Sequence, residues 1–169
     1  MNDGVARKAP IGEVVSLHLH PAVGGEPMQS VEAIELIAAQ GVAGDSRYFE
    51  RQSRMSNPPS KRQVSLIERE QIGEHAAALG LETISPGAVR SNIETSGIAL
   101  VALVGKRVRV GEAVLDFVEP RKPCEKMDAV CLGLRALMEP DRQGVMARVV
   151  SGGRVRLGDK IELTDLPAE

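Results

Sequence analysis

The sequence predicts a mainly β domain, a closed or partly open β-barrel with flanking α-helices, and three observations carry that prediction. Short segments of alternating apolar character recur along the chain, separated by glycine-rich turns, as a barrel of short strands requires. Only two segments hold a helical period long enough to stand as helices. Aromatic side chains are nearly absent, with Tyr48, Phe49 and Phe117 alone in 169 residues. The core must therefore come from Val, Ile, Leu, Ala and Met, which interdigitate well between strands.

Taken in order, Ile11 to His20 alternates as a strand, ended by Pro21 and Gly24-Gly25. Ser30 to Ile37 reads as a second strand, leading into the turn Gly41-Val42-Ala43-Gly44-Asp45. From Ser46 to Lys61 the periodicity is lost. This stretch carries Arg47, Arg51, Arg54 and Lys61 against the single acid Glu50, and it includes Asn57-Pro58-Pro59. Such a segment is a functional loop or a disordered one, and its residues leave both open. Gln63 to Ile67 reads as a strand running directly into a helix, with Ser65 and Glu68 in a capping-box pattern. Ile72, Ala76 and Leu79 share one face of that helix, and Gly80 stops it.

Ser85-Pro86-Gly87 is a turn, and Asn92 to Thr95 a short strand. From Leu103 onward the pattern is that of hairpins. Val108 and Val110 alternate with Arg107 and Arg109, Gly111-Glu112 turns the chain, and Ala113 to Glu119 returns. A second helix is expected from near Pro123, with Met127, Val130, Cys131, Leu134 and Met138 on its apolar side and Pro140 beyond its end. Val145 to Val150, the turn Ser151-Gly152-Gly153 and Val155 to Leu163 complete the β structure, with Gly158-Asp159 as a turn or bulge. No repeat and no linker interrupts the chain, so residues 1–169 read as a single domain.

Charge narrows the function classes. Against 23 acidic side chains stand 21 basic ones, a net charge of -2, so there is no bulk attraction to nucleic acid or to an anionic membrane. The scarcity of aromatics also argues against stacking on bases. No apolar run approaches the roughly 20 residues that span a bilayer. Met1 to Gly12 holds no continuous apolar stretch of the kind that directs secretion. With only two cysteines there is no disulfide framework, and a cytoplasmic, reducing setting is expected.

Cys124 is the most informative residue for chemistry. It follows Arg121-Lys122-Pro123 and opens the second expected helix. The helix dipole and the two cations favour the thiolate, which is both nucleophile and metal ligand. The alternative is a small buried hydrophobe. Cys131 lies seven helical residues further on, about 10 Å away and beyond disulfide reach, and is assigned to the core. His18 and His20 share a strand face, but no carboxylate at fitting spacing completes a metal site, so they are expected as a surface pair. His75 is expected to be structural. No GxGxxG, Walker or GxSxG pattern occurs. Arg90 and Asn92 offer guanidinium and amide donors suited to a phosphate or an acidic pterin edge, although alone they equally suit a solvated hairpin end.

In order along the chain, Gly41-Val42-Ala43-Gly44-Asp45, Arg62-Gln63-Val64-Ser65-Leu66-Ile67 with Glu70, Pro86-Gly87-Ala88-Val89-Arg90-Ser91-Asn92-Ile93, Arg121-Lys122-Pro123-Cys124, and Gly144 to Val149 with Gly152-Gly153 and Gly158-Asp159 resemble the MOSC family. That family is named for the C-terminal domain of molybdenum cofactor sulfurase, and the resemblance covers Ile11 to Leu163. It implies a pyruvate kinase-type barrel flanked by helices, and a cleft where Cys124 ligates the molybdenum of molybdenum cofactor (molybdopterin) or carries a persulfide. It also implies that Arg62, Arg90 and Asn92 hold the pterin or its phosphate, with Asp45 and Arg47 in the same cofactor-binding set. Asp45 would brace the loop rather than act as a base, and Arg121 would support the Cys124 thiolate in catalysis.

The loop from Arg47 to Arg62 would form a basic lid. The resemblance further brings association with pyridoxal phosphate, a small-molecule substrate of the N-hydroxylated class, and a separate electron-donor protein or desulfurase as partner. One departure stands out. Many relatives read Gly-Asp-Arg-His where this chain has Gly44-Asp45-Ser46-Arg47-Tyr48, so the family's histidine contact does not carry over.

Overall fold

The computed structural model describes residues 11–50 and 60–169. Its strands, in chain order, are β1 (Gly12–Leu19), β2 (Gln29–Val31), β3 (Ala33–Ile37), β4 (Gly41–Val42), β5 (Val64–Glu68), β6 (Ile93–Ser96), β7 (Lys106–Val110), β8 (Ala113–Pro120), β9 (Val145–Ser151), β10 (Gly153–Arg156) and β11 (Lys160–Pro167). The helices are α1 (Arg69–Ala78), α2 (Lys126–Val130) and α3 (Leu134–Leu137). Strands β1, β6, β5, β9, β8, β7 and β11 pair in that spatial order, and β11 returns to β1, closing a seven-stranded barrel. The expected mainly β barrel with flanking helices is the observed architecture. Strand β2 hangs on the side of β1, and β10, β3 and β4 form a separate small sheet.

The closing seam is short, pairing Gly12 with Ile161 and Glu13 with Lys160. By contrast, β8 and β9 pair from Val114 with Ser151 to Pro120 with Val145. The single parallel contact in the barrel joins β5 to β6, with Leu66 opposite Ile93 and α1 in the connection between the strands. A parallel pair needs such a crossover because a tight turn cannot reverse the chain twice.

Alternation explains the interior. Val108 and Val110 are buried, whereas Arg109 between them faces solvent. Val14, Leu17, Leu66, Ile93, Leu115, Phe117, Val145 and Val149 meet inside the barrel. Strand β5 is buried on both faces, so Ile67 joins a second apolar cluster outside the barrel. There it meets Ile72 and Ala76 of α1 together with Val89, Met127, Leu134 and Met138. That second cluster fastens α1, α2 and α3 to the wall and fixes the segment that carries Cys124.

Several local expectations are corrected. The second helix is two short ones, because Cys131 is extended at φ -158 and Gly133 is left-handed at φ 94. Asp128 Oδ1 takes the N–H groups of Gly133 and Arg135, each at 3.1 Å, which stabilises the break. Cys131 is consequently half-buried rather than core, and Val130 is exposed. The expected strand from Ser30 to Ile37 divides at Glu32 into β2 and β3, which belong to different sheets. Ser65 and Glu68 do not form a capping box. Ser65 sits inside β5, and Glu68 Oε1 instead accepts the Leu100 N–H at 2.6 Å. Gly80, at φ 71, ends α1 as expected, and His75 is buried with Nε2 2.9 Å from the Arg142 carbonyl. Most of the expected basic lid, including Arg51, Arg54 and Asn57-Pro58-Pro59, lies outside the described residues.

Candidate functional site

Asp45 organises one wall of the site. It stands on the turn that follows β4, and its carboxylate is buried. Oδ2 accepts the His20 N–H at 3.0 Å, His20 Nδ1 at 2.8 Å and Asn92 Nδ2 at 2.8 Å. Oδ1 accepts the N–H groups of Arg47 at 3.0 Å and Tyr48 at 3.1 Å. Burial alone would raise the Asp45 pKa. The side-chain and backbone hydrogen bonds from His20, with the remaining donors, outweigh it and hold the carboxyl well below the usual range. An ionised carboxylate can only accept, so His20 Nδ1 carries the hydrogen of that bond. The His20 ring also meets Tyr48 edge-on at 5.4 Å, and the Arg47 guanidinium lies 5.6 Å from the Tyr48 ring centre.

Asn92 ties this wall to the barrel. Its Oδ1 takes the Ser65 N–H and the Ser65 hydroxyl, both at 3.1 Å, and its own N–H goes to Ser65 Oγ at 2.9 Å. Its Nδ2 donates to the His18 carbonyl at 3.2 Å as well as to Asp45. Both amide hydrogens and the carbonyl oxygen are thus spent inside the protein. Asn92 therefore braces Asp45 against the barrel and offers no donor outward in this conformation.

The other wall carries the thiol. Arg121 follows β8, is only 9% exposed, and fastens the loop before β6 by donating to the carbonyls of Val89 at 3.2 Å and Arg90 at 3.0 Å. Its backbone N–H goes to the Gly144 carbonyl at 2.9 Å. Burial lowers the Arg121 pKa from its ordinary value, Arg47 and Arg62 lower it further, and the nearby Tyr48 and Cys124 oppose the shift. Cys124 is half-buried and stands just before α2. Because α2 has only five residues, its dipole adds little, and the positive surroundings of the thiol come from side chains.

His20, Arg47, Arg90, Arg121, Cys124, Lys126 and Met127 line one cleft, with about 20 Å³ open to the centre of a water molecule. Arg90 holds an unusual φ of 61, and its Nη1 donates to the Glu26 carbonyl at 2.9 Å. Arg62 stands off to one side, half-exposed, with Nε 3.2 Å from Glu119 Oε1.

Of the residues singled out in the sequence, Cys124, Arg121, Arg90 and Arg47 therefore converge on one cleft. Asp45 and Asn92 lie behind its wall, and Arg62 pairs with Glu119 while still close enough to act on Arg121. The histidine pair expected at the surface is buried instead. His18 lies between Ser16 Oγ at 2.7 Å and the Ser91 carbonyl at 3.1 Å, and His20 lines the cleft. Leu17 and Leu19 take the inward face there, and the outward face is covered by other segments, Gly87 and Ser91 over His18 and Asp45 and Tyr48 over His20. Asp45 reaches His20 from 25 positions away, which no local spacing reveals. No group of three or more His, Cys, Asp and Glu among the described residues is placed to hold a metal ion.

The fold has known counterparts. The chain is similar to the YuaD protein from Bacillus subtilis, with a TM-score of 0.74 and 19% identity over 92% of this chain and 97% of that one. It is similar as well to YiiM from Escherichia coli, with a TM-score of 0.65, 20% identity and coverage of 91% and 70%. YiiM from Geobacillus stearothermophilus gives a TM-score of 0.68, 16% identity and coverage of 91% and 75%. At these identities the likeness establishes the shared fold. No curated protein matches the sequence. The profile of the MOSC domain matches residues 25–162, well over half of the chain. The chain belongs to the MOSC domain family.

Proposed function

We propose that this MOSC domain binds molybdenum cofactor through Cys124 and reduces N-hydroxylated small molecules with electrons from a separate donor protein. The observation that carries the reading is one thiol sharing a cleft with Arg47, Arg90, Arg121 and Lys126. The chemistry of this donor set fits the cofactor. A soft sulfur ligand suits molybdenum, and guanidinium and ammonium groups suit an anionic phosphate. The cleft as it stands is small, with about 20 Å³ open to the centre of a water molecule.

Arg47, Arg90 and Lys126 would hold the anionic portion, and Arg121 would keep the Cys124 segment in place through its bonds to Val89 and Arg90. When bound, the cofactor supplies two-electron chemistry in which the N–O bond of the substrate breaks and water leaves. The protein side of the reaction is to keep Asp45 as an acceptor fixed on His20.

The cleft size favours a second reading, in which Cys124 carries a persulfide for delivery to a cofactor or protein, because a single sulfur atom needs no further room. The molybdenum content of wild type and Cys124→Ala, each purified from a cofactor-proficient host, separates the two. Near-stoichiometric metal in wild type that is lost in the variant supports ligation by Cys124. No metal in either, with the host's own molybdoenzymes loaded, overturns it in favour of the persulfide.

A further inference from the structure

We propose that the Cys124 cleft is a site for thiosulfate, and that Cys124 takes up the outer sulfur of that ion; this deepens the persulfide reading and rests on it. Three features of the cleft agree on a compact dianion carrying transferable sulfur. Four of its seven lining residues are Arg47, Arg90, Arg121 and Lys126, and none is a carboxylate. The nearest buried acid, Asp45, has both oxygens occupied by protein donors. A neutral sulfur donor would leave those cations without counter-charge, whereas a dianion draws them together.

The second feature is independent of the thiol. His20 is 5% exposed and lines the cleft, its Nδ1 is spent on Asp45, and no described residue hydrogen-bonds its Nε2. The remaining ring nitrogen of a buried histidine that lines a cleft is open to what enters the cleft. The third feature is size. About 20 Å³ open to the centre of a water molecule suits an ion of a few atoms.

The step conserves atoms and electrons. The Cys124 sulfur bonds to the outer sulfur of thiosulfate, and the S–S bond of thiosulfate breaks with its electron pair leaving on sulfite. The thiol proton remains with the new persulfide, so thiol plus thiosulfate gives persulfide plus sulfite. No outside oxidant or reductant is required. Recognition of the sulfonate end falls to Arg47, Arg90, Lys126 and His20, while Arg121 holds the loop that carries Arg90.

The test is incubation of the purified chain with thiosulfate, reading released sulfite and the mass of the Cys124 peptide. Wild type is expected to release sulfite and gain one sulfur on Cys124, and Cys124→Ala to do neither. Arg47→Met and Lys126→Met alter exposed side chains. Each is expected to raise the half-saturating thiosulfate concentration about tenfold or more, the loss of one charge-assisted contact. A cysteine desulfurase with cysteine serves as the alternative sulfur source. If it loads wild-type Cys124 while thiosulfate yields neither sulfite nor persulfide, the thiosulfate site is wrong and the persulfide reading stands. If neither source loads Cys124, both fall. Unchanged thiosulfate saturation in both cation variants, with circular dichroism showing an intact fold, also overturns the site.

Discussion

Asp45 shows how much one residue can hold. Five donors from His20, Arg47, Tyr48 and Asn92 converge on its two oxygens. Asparagine has nearly the same shape but presents an NH₂ where a donor already points. Asp45→Asn is therefore expected to lower stability at neutral pH by about 2 kcal/mol, the scale of charge-assisted bonds to a buried carboxylate. The pH dependence has a definite sign. The folded pKa lies below the unfolded one, so the Asp45 contribution is full above about pH 4, the ordinary aspartate value, and is lost as pH falls toward the folded value. Denaturant titrations at pH 7 and pH 3 should show the gap between wild type and variant narrowing in acid. A gap that stays constant would mean the carboxylate is not the charged brace described. At this scale the sequence was informative where chemistry is local, as in Arg121-Lys122-Pro123-Cys124, and silent where it is not. His20 has no neighbour in sequence that foretells Asp45.

Among the elements, the entry to β9 is the tightest. Gly144 has φ 72, and a Cβ there would stand 1.9 Å from the Leu66 carbonyl oxygen and 2.8 Å from Ile67 Cα. Its carbonyl also receives the Arg121 N–H. Gly144→Ala must push β9 off β5 and shift Arg121 with it, so a loss of at least about 3 kcal/mol is expected, on the order of severe overpacking plus backbone strain. Thermal denaturation checks this, and a change in melting temperature within a degree or two would contradict it. The elements also show where pattern reading fails. Alternation located β7 and β8 nearly residue by residue, because the barrel interior enforces a two-residue period. The long apolar stripe after Pro123 satisfied a helical period just as well, yet the chain breaks at Cys131. A left-handed Gly133 and the Asp128 cap serve two short helices better than one long one, and a periodicity argument gives capping at mid-segment no weight.

Across the whole molecule, closure is uneven. The β1–β11 seam has two register pairs and a partly exposed Lys160 to Glu13 contact, while β8 and β9 run paired over six. Amide exchange at Ile11 and Val14 is therefore expected to be faster than at Val64 to Leu66 in the center of the barrel wall, and mass-resolved hydrogen exchange would show it. Equal protection across both seams would mean the barrel opens only as a unit. No helix among the described residues is long and apolar enough to cross a membrane. The barrel class was legible from short strands and frequent turns, but not the order in which the strands meet, since β5 pairing with β6 and β11 with β1 depend on contacts far apart in sequence.

That parallel β5–β6 contact also sets a schedule. Hairpins such as β7–β8 can form as soon as their turn is made, but β5 finds β6 only after the α1 crossover has been laid down, and long-range pairing is the slow part of folding. Ser65 and Asn92 clasp that pair, and Asn92 in turn holds Asp45 and, through it, His20. The cleft itself joins His20 to Arg121 and Cys124 from far along the chain, so it takes shape only once such distant segments have met. An incompletely folded chain has the Cys124 thiol without the surrounding cations, so any chemistry that needs both waits for the finished barrel.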